Sequence, residues 1–302
     1  MADYWRYVRR IVEAKGRRLQ GYRSFEDVWR TLKDGVDLIV LKAPTGCGKT
    51  EATTVPFMAS LAEGTPAWAS LIYVLPTRSL AHSMRGRFAS SLVALGVHGV
   101  TVTLDYGELL ALKPYLEGDI AVTTYDTLLY TTYGFRTLGH HILLPVGKVA
   151  LSLIVMDEVQ LLQDTTWFTM EVLPWHIRCL LDLGAQVIVM TATMPSPFEE
   201  ELERVCKTKR LEIVEAEDKP HRGSLEVDLE AGVLPTEEGA LRKILEEVLD
   251  ERGLPLLVVV NSVRKAVTIY EQLVALRREG FIPREADVLL LHSRLRRGVR
   301  DR

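Results

Sequence analysis

The chain has 302 residues, a formal net charge of −3, 47% hydrophobic and 25% charged residues. This suits about two globular domains with sizeable cores, and it excludes a uniformly basic nucleic-acid coat while permitting a local basic groove. No apolar run reaches the ~18 residues of a membrane span, and the arginine-rich N-terminus lacks the apolar core of a secretory signal. Cys47, Cys179 and Cys206 lie far apart with no C-x-x-C pair, so neither a disulfide framework nor a zinc ribbon is supported. The expected setting is the reducing cytoplasm, with no membrane. One asparagine (Asn261), five glutamines and 26 arginines against 11 lysines point to a thermophile's protein.

In chain order, residues 1–20 form a basic segment. From residue 36 short apolar runs alternate with amphipathic stretches, which predicts a parallel sheet covered by helices. Strands are predicted over 37–42, 71–75, 100–104, 120–123, 151–156, 186–191 and 211–216. Helical periodicity lies between them, for example over 79–95 and 166–183. These make a first α/β domain over 21–217. A charged break follows, punctuated by Pro220 and Gly223, with a linker at 218–223. Strands over 225–229, 256–260 and 287–291 and helices over 237–251 and 263–278 then begin a second domain, 224–302. It is expected to be incomplete.

Ala43-Pro44-Thr45-Gly46-Cys47-Gly48-Lys49-Thr50 follows an apolar run and opens a helical stretch. It matches the phosphate-loop spacing except that Ala43 replaces the first glycine. Gly46 and Gly48 let backbone N–H groups curl round phosphates at a helix N-terminus, where the dipole favours anions. Lys49 supplies a charge to the β- and γ-phosphates, and the Thr50 hydroxyl can ligate Mg²⁺. Residues 45–50 are therefore the expected ATP-binding loop, Cys47 being a small tolerated loop residue. The second half of the site is Asp157-Glu158, closing the apolar run 153–156. Asp157 would hold Mg²⁺ and Glu158 would polarise the attacking water; the bland alternative is a solvated acidic pair capping the next helix.

Further segments follow the second, fourth and sixth predicted strands: Pro76-Thr77-Arg78-Ser79-Leu80-Ala81, Thr123-Thr124-Tyr125-Asp126 and Thr191-Ala192-Thr193. With A-P-T-G-C-G-K-T and D-E-V-Q, the series resembles motifs I, Ia, Ib, II and III of superfamily 2 helicases. Asn261-Ser262-Val263 and Leu291-His292-Ser293-Arg294 resemble turns of the CRISPR-associated helicases of type I interference systems. The resemblance covers about residues 20–302. It implies a RecA-like P-loop NTPase domain, a parallel sheet with helices on both faces, followed by an incomplete second RecA-like domain.

The implied activity is an ATP-driven motor moving 3′ to 5′ on single-stranded DNA, recruited by an RNA-guided surveillance complex. Thr77, Arg78, Thr123, Thr124, Asn261, Ser262, Ser293 and Arg294 would contact DNA, chiefly its phosphates. Gln160, Thr191 and Thr193 would couple motif II to motif III. Departures from the family are informative. No His-Asp dipeptide is present, so the histidine nuclease is expected to be a separate subunit or absent. Gln160 stands where histidine is usual, and Glu26 aligns with an adenine-reading glutamine. Motifs V and VI, the latter with an arginine finger, lie beyond residue 302 in the family, so slow turnover is expected of this chain.

Two other readings stay open: another superfamily 2 RNA or DNA helicase, and a nucleotide-gated DNA-binding subunit with little turnover. His140-His141 lacks partners at ligand spacing and is expected to be a loop or packing pair. Trp167 and Trp175, eight apart, are expected in the core rather than as base-stacking platforms. Arg294, Arg296, Arg297, Arg300 and Arg302 could line a DNA groove or form a solvated face. The arginines from Arg6 to Arg18 are expected on an exposed helix face.

Overall fold

A computed structural model describes residues 2–16, 23–106, 116–136, 143–162, 168–216, 241–242, 244–246, 255–283 and 285–292. The chain divides into two compact units, Met1–Arg222 and Gly223–Arg302.

The first unit is built on seven strands in the order β3-β4-β2-β5-β6-β1-β7. They are β1 Leu38–Lys42, β2 Leu71–Leu75, β3 Val102–Asp105, β4 Ile120–Thr124, β5 Leu153–Met156, β6 Gln186–Thr191 and β7 Leu211–Glu215. Every pairing is parallel. A parallel sheet is covered on both faces, so its strands read as nearly continuous apolar runs. Side chains still alternate between faces. Ile39, Leu41, Tyr73, Val155 and Ile188 join one core cluster, whereas Leu38, Val40, Val74, Ile154 and Val187 join the other.

Helices α1 Ala2–Ala14, α2 Arg23–Lys33, α3 Lys49–Ala62 and α4 Ala81–Leu95 supply the first cluster. Helices α5 Tyr125–Thr132, α7 Phe168–Asp182 and α8 Ser196–Cys206 supply the second, near the short α6 Leu143–Val149. Helix α3 is buried round most of its circumference, as a central helix must be. Helix α1 is one-sided. Its Tyr4, Tyr7, Val8 and Ile11 are buried while Arg6, Arg9 and Arg10 are exposed, as expected; Arg17 and Arg18 lie outside the described residues.

The expected α/β architecture is present, and all seven predicted strands of this unit exist, 71–75 and 186–191 with the predicted bounds and the other five with shifted ends. The run from 151 starts late because Leu151 is exposed at φ 60° and only β5 itself enters the ladder. The helix expected from 79 opens as a 3₁₀ turn, Arg78–Leu80, before α4. It stops at Gly96, whose φ of 73° suits glycine and whose N–H bonds Leu92 O.

In the second unit, α9 spans Val263–Arg278, with Ser262 Oγ capping its first turn by accepting from Lys265 N. Leu241, Leu245, Ile269, Leu276 and Ile282 form its small core. Among the described residues, 256–260 and 287–291 enter no ladder. Their period-2 pattern survives as one-sided burial, Val258 and Val260 packing on the core while Leu257 and Val259 are exposed. Alternation reports faces, whereas a strand also needs a hydrogen-bonding neighbour. The expected strand 225–229 and most of the helix 237–251 lie outside the described residues.

Candidate functional site

Because all strands of the first unit run parallel, the segments following β1, β2, β4, β5 and β6 emerge at one edge of the sheet, where ligands of open α/β sheets bind. The order β2-β5-β6-β1 places the phosphate loop after β1 two strands from the Asp157-Glu158 turn after β5.

The loop is shaped by backbone that only glycine adopts easily. Gly46 has φ 92° and Gly48 φ 71°; a Cβ on Gly48 would lie 2.7 Å from Cζ of Phe25. Gly48 also begins α3, so the first N–H groups of that helix face the loop. Lys49 is buried, yet its Nζ donates to Ala43 O at 2.9 Å and pairs with Glu158 Oε1 at 2.9 Å. Glycine backbone, buried ammonium and paired carboxylates suit a nucleotide's phosphates with a hard divalent cation.

Tyr73 Oη donates to Asp157 Oδ2 at 2.6 Å. Burial and the Glu158 charge push the Asp157 carboxyl above its ordinary pKa, while the Tyr73 bond and Lys49 oppose this. For Glu158, burial raises the pKa, but hydrogen bonds from Gln160 and Lys49 and the Lys49 charge outweigh it, and the net shift is downward. The two neighbours are thus pushed apart. Glu158 also sits at φ 46°, a left-handed conformation costing roughly 1–2 kcal/mol for a residue with a Cβ.

The three expected coupling residues meet. Gln160 Nε2 donates to Glu158 Oε2 at 2.6 Å, and Thr191 Oγ lies 2.6 Å from Gln160 Oε1. Thr191 Oγ in turn receives Thr193 N at 3.1 Å. One amide therefore links the acidic turn after β5 to the loop after β6.

The expected DNA-contact residues divide. Thr77 and Arg78 are exposed at the sheet edge. Thr123 is 0% exposed and its hydroxyl donates to Asp105 O at 2.6 Å; Thr124 is buried with its hydroxyl 3.1 Å from that of Thr127. Both hydroxyls are turned into the fold. In the second unit Asn261 is exposed, whereas Ser262 Oγ serves as the cap of α9. Ser293 and Arg294 lie outside the described residues, as do Trp167, His140, His141 and the arginines beyond Arg294. Trp175 corrects one expectation: it is 54% exposed, with the Arg204 guanidinium 5.6 Å from its ring centre.

Sequence reasoning missed several partners. Tyr73 was readable as the lone polar tip in an aliphatic strand. Glu51, next after Thr50, pairs with Arg87 at 2.5 Å and Lys15 at 3.1 Å, tying α3 to α4 and to the residue just past α1. Glu26 accepts from Trp5 Nε1 at 2.5 Å, and Trp5 stacks on Phe25 at 5.8 Å. No sequence signal announced those distant pairings. Among the described residues no cluster of three metal-ligating side chains exists and no helix is long and apolar enough to cross a membrane.

A model of the DEAD/DEAH box helicase family matches residues 25–202. The chain is 32% identical over 251 residues to the CRISPR-associated helicase Cas3 of Thermoproteus tenax, covering 79% of this chain and 41% of that protein. It thus spans about two fifths of the length of the curated relative it matches. Among solved structures, T. fusca Cas3 superposes over 96% of this chain and 38% of its own, with TM-score 0.68 and 18% identity. The Mycobacterium smegmatis helicase Lhr bound to ssDNA and AMP-PNP covers 93% and 37%, with TM-score 0.63 and 20% identity. These likenesses show the RecA-like fold. With the loop, the acidic turn and the family match in agreement, the chain belongs to the DEAD/DEAH box helicase family.

Proposed function

We propose that the chain is the motor of a type I CRISPR interference system, an ATP-dependent helicase moving 3′ to 5′ on single-stranded DNA in the cytoplasm. Its partners would be an RNA-guided surveillance complex and an HD nuclease. The observation that carries the reading is the continuous series of bonds Lys49–Glu158–Gln160–Thr191, joining the phosphate loop to the acidic turn and the β6 loop. The likeness to the Thermoproteus tenax protein supports the CRISPR assignment.

ATP with Mg²⁺ supplies a transferable γ-phosphoryl group whose charge the cation offsets. The chain's own residues divide the remaining work. Residues 45–50 would cradle the phosphates, with Lys49 exchanging Glu158 for phosphate oxygens. Thr50 and Asp157 would hold Mg²⁺. Once released from Lys49, Glu158 would orient water, and its lowered pKa keeps it ionised for that task. Gln160 would report the state of Glu158 to Thr191 and Thr193. Thr77, Arg78 and Asn261 would grip DNA phosphates.

The test is ATP hydrolysis with single-stranded DNA, RNA of equal length, or neither. Stimulation by DNA is expected. Preferential stimulation by RNA would favour another superfamily 2 helicase.

A further inference from the structure

Tyr73 belongs to a strand whose other residues, Leu71, Ile72, Val74 and Leu75, are aliphatic. It is 0% exposed and stands edge-on to Phe88, ring centres 5.1 Å apart. A buried hydroxyl is costly unless bonded, so Phe would fill this space more simply. The register explains the partner. Tyr73 lies opposite Val155 of β5, and Asp157 is two residues further on the same face, a diagonal separation that an aromatic side chain spans. The phenol donates to Asp157 Oδ2 at 2.6 Å. The buried hydroxyl therefore engages a residue read as a Mg²⁺ ligand, across two neighbouring strands.

We propose that Tyr73 is the positioning residue of the Mg²⁺ half of the site. Its phenol engages Oδ2 of Asp157 and leaves Oδ1 for the cation. This rests on the reading of Asp157 as a ligand. Partners of metal-binding carboxylates change metal affinity by roughly 10–100-fold when removed.

The test measures AMPPNP affinity by calorimetry on the full chain, in EDTA and across Mg²⁺ concentrations. Tyr73→Phe should bind the nucleotide normally in EDTA yet need about tenfold more Mg²⁺ for half of the Mg²⁺-dependent gain, in line with that range. Tyr73→Met, which also lacks the hydroxyl, is carried alongside in case the Phe variant folds poorly. An unchanged Mg²⁺ requirement would overturn the proposal, as would equal weakening with and without Mg²⁺, which marks a packing role. Asp157→Asn separates the two readings. If it raises the Mg²⁺ requirement while Tyr73→Phe does not, the positioning role alone fails. If neither variant does, the ligand reading fails with it.

Discussion

Lys49 and Glu158 hold each other at 2.9 Å, and this pair must open for Lys49 to face a phosphate. Glu158→Gln removes the competing charge while keeping the shape. We expect this variant to bind ATP several-fold more tightly than the parent and to lose hydrolysis. Weaker binding in calorimetry would mean that Glu158 helps to hold the nucleotide. A second residue-scale consequence concerns His176, which is 0% exposed; burial lowers its pKa from 6.5 to about 4. The unfolded chain then binds the proton more readily. The stabilisation is full above about pH 6.5 and is lost as pH falls towards 4, by up to roughly 3 kcal/mol. Urea unfolding at pH 7 and pH 5 should show a smaller loss for His176→Gln than for the parent. Equal losses would mean that His176 does not titrate on unfolding.

At the scale of elements, Arg136, just past α5, clamps Asp105 at the end of β3 with bonds of 2.7 and 3.0 Å. Asp105 is 1% exposed and also accepts from Leu116 N. Arg136→Met would leave a buried carboxylate without its cation, and the expected destabilisation is about 3–5 kcal/mol. A change below about 1 kcal/mol in urea unfolding would contradict the clamp. Such long-range pairs explain what sequence could and could not disclose. The sheet strands were legible because a strand buried on both faces is an unbroken apolar run, as in 71–75 and 186–191. The phosphate loop and the acidic turn were legible because their chemistry fixes residue types at fixed spacing. The inward bond of Thr123 was not legible, because a hydroxyl at a strand end can bond inward as readily as outward. Alternation over 256–260 disclosed which residues face the core, but it carries no information about a ladder partner. Tyr73–Asp157 stayed hidden because it depends on which strands are neighbours, a property of topology.

For the whole molecule, nucleotide chemistry at one edge of a parallel sheet is proposed to act on single-stranded DNA at the loops of that edge. Arg78 is exposed there, so Arg78→Ala should weaken binding alike for all sequences. Its log K against log salt slope should become shallower by about 0.7, the share of one neutralised phosphate; a weakening confined to one sequence would indicate base reading. The most direct test of the central claim is calorimetric titration of the chain with ATP and Mg²⁺, before and after Lys49→Ala. Saturable binding is predicted for the parent chain, and at least a hundredfold weakening for the variant, since the loop's lysine charge is gone (about 2.7 kcal/mol). Equal affinity in the two proteins would contradict the assignment of residues 45–50 as the ATP-binding loop.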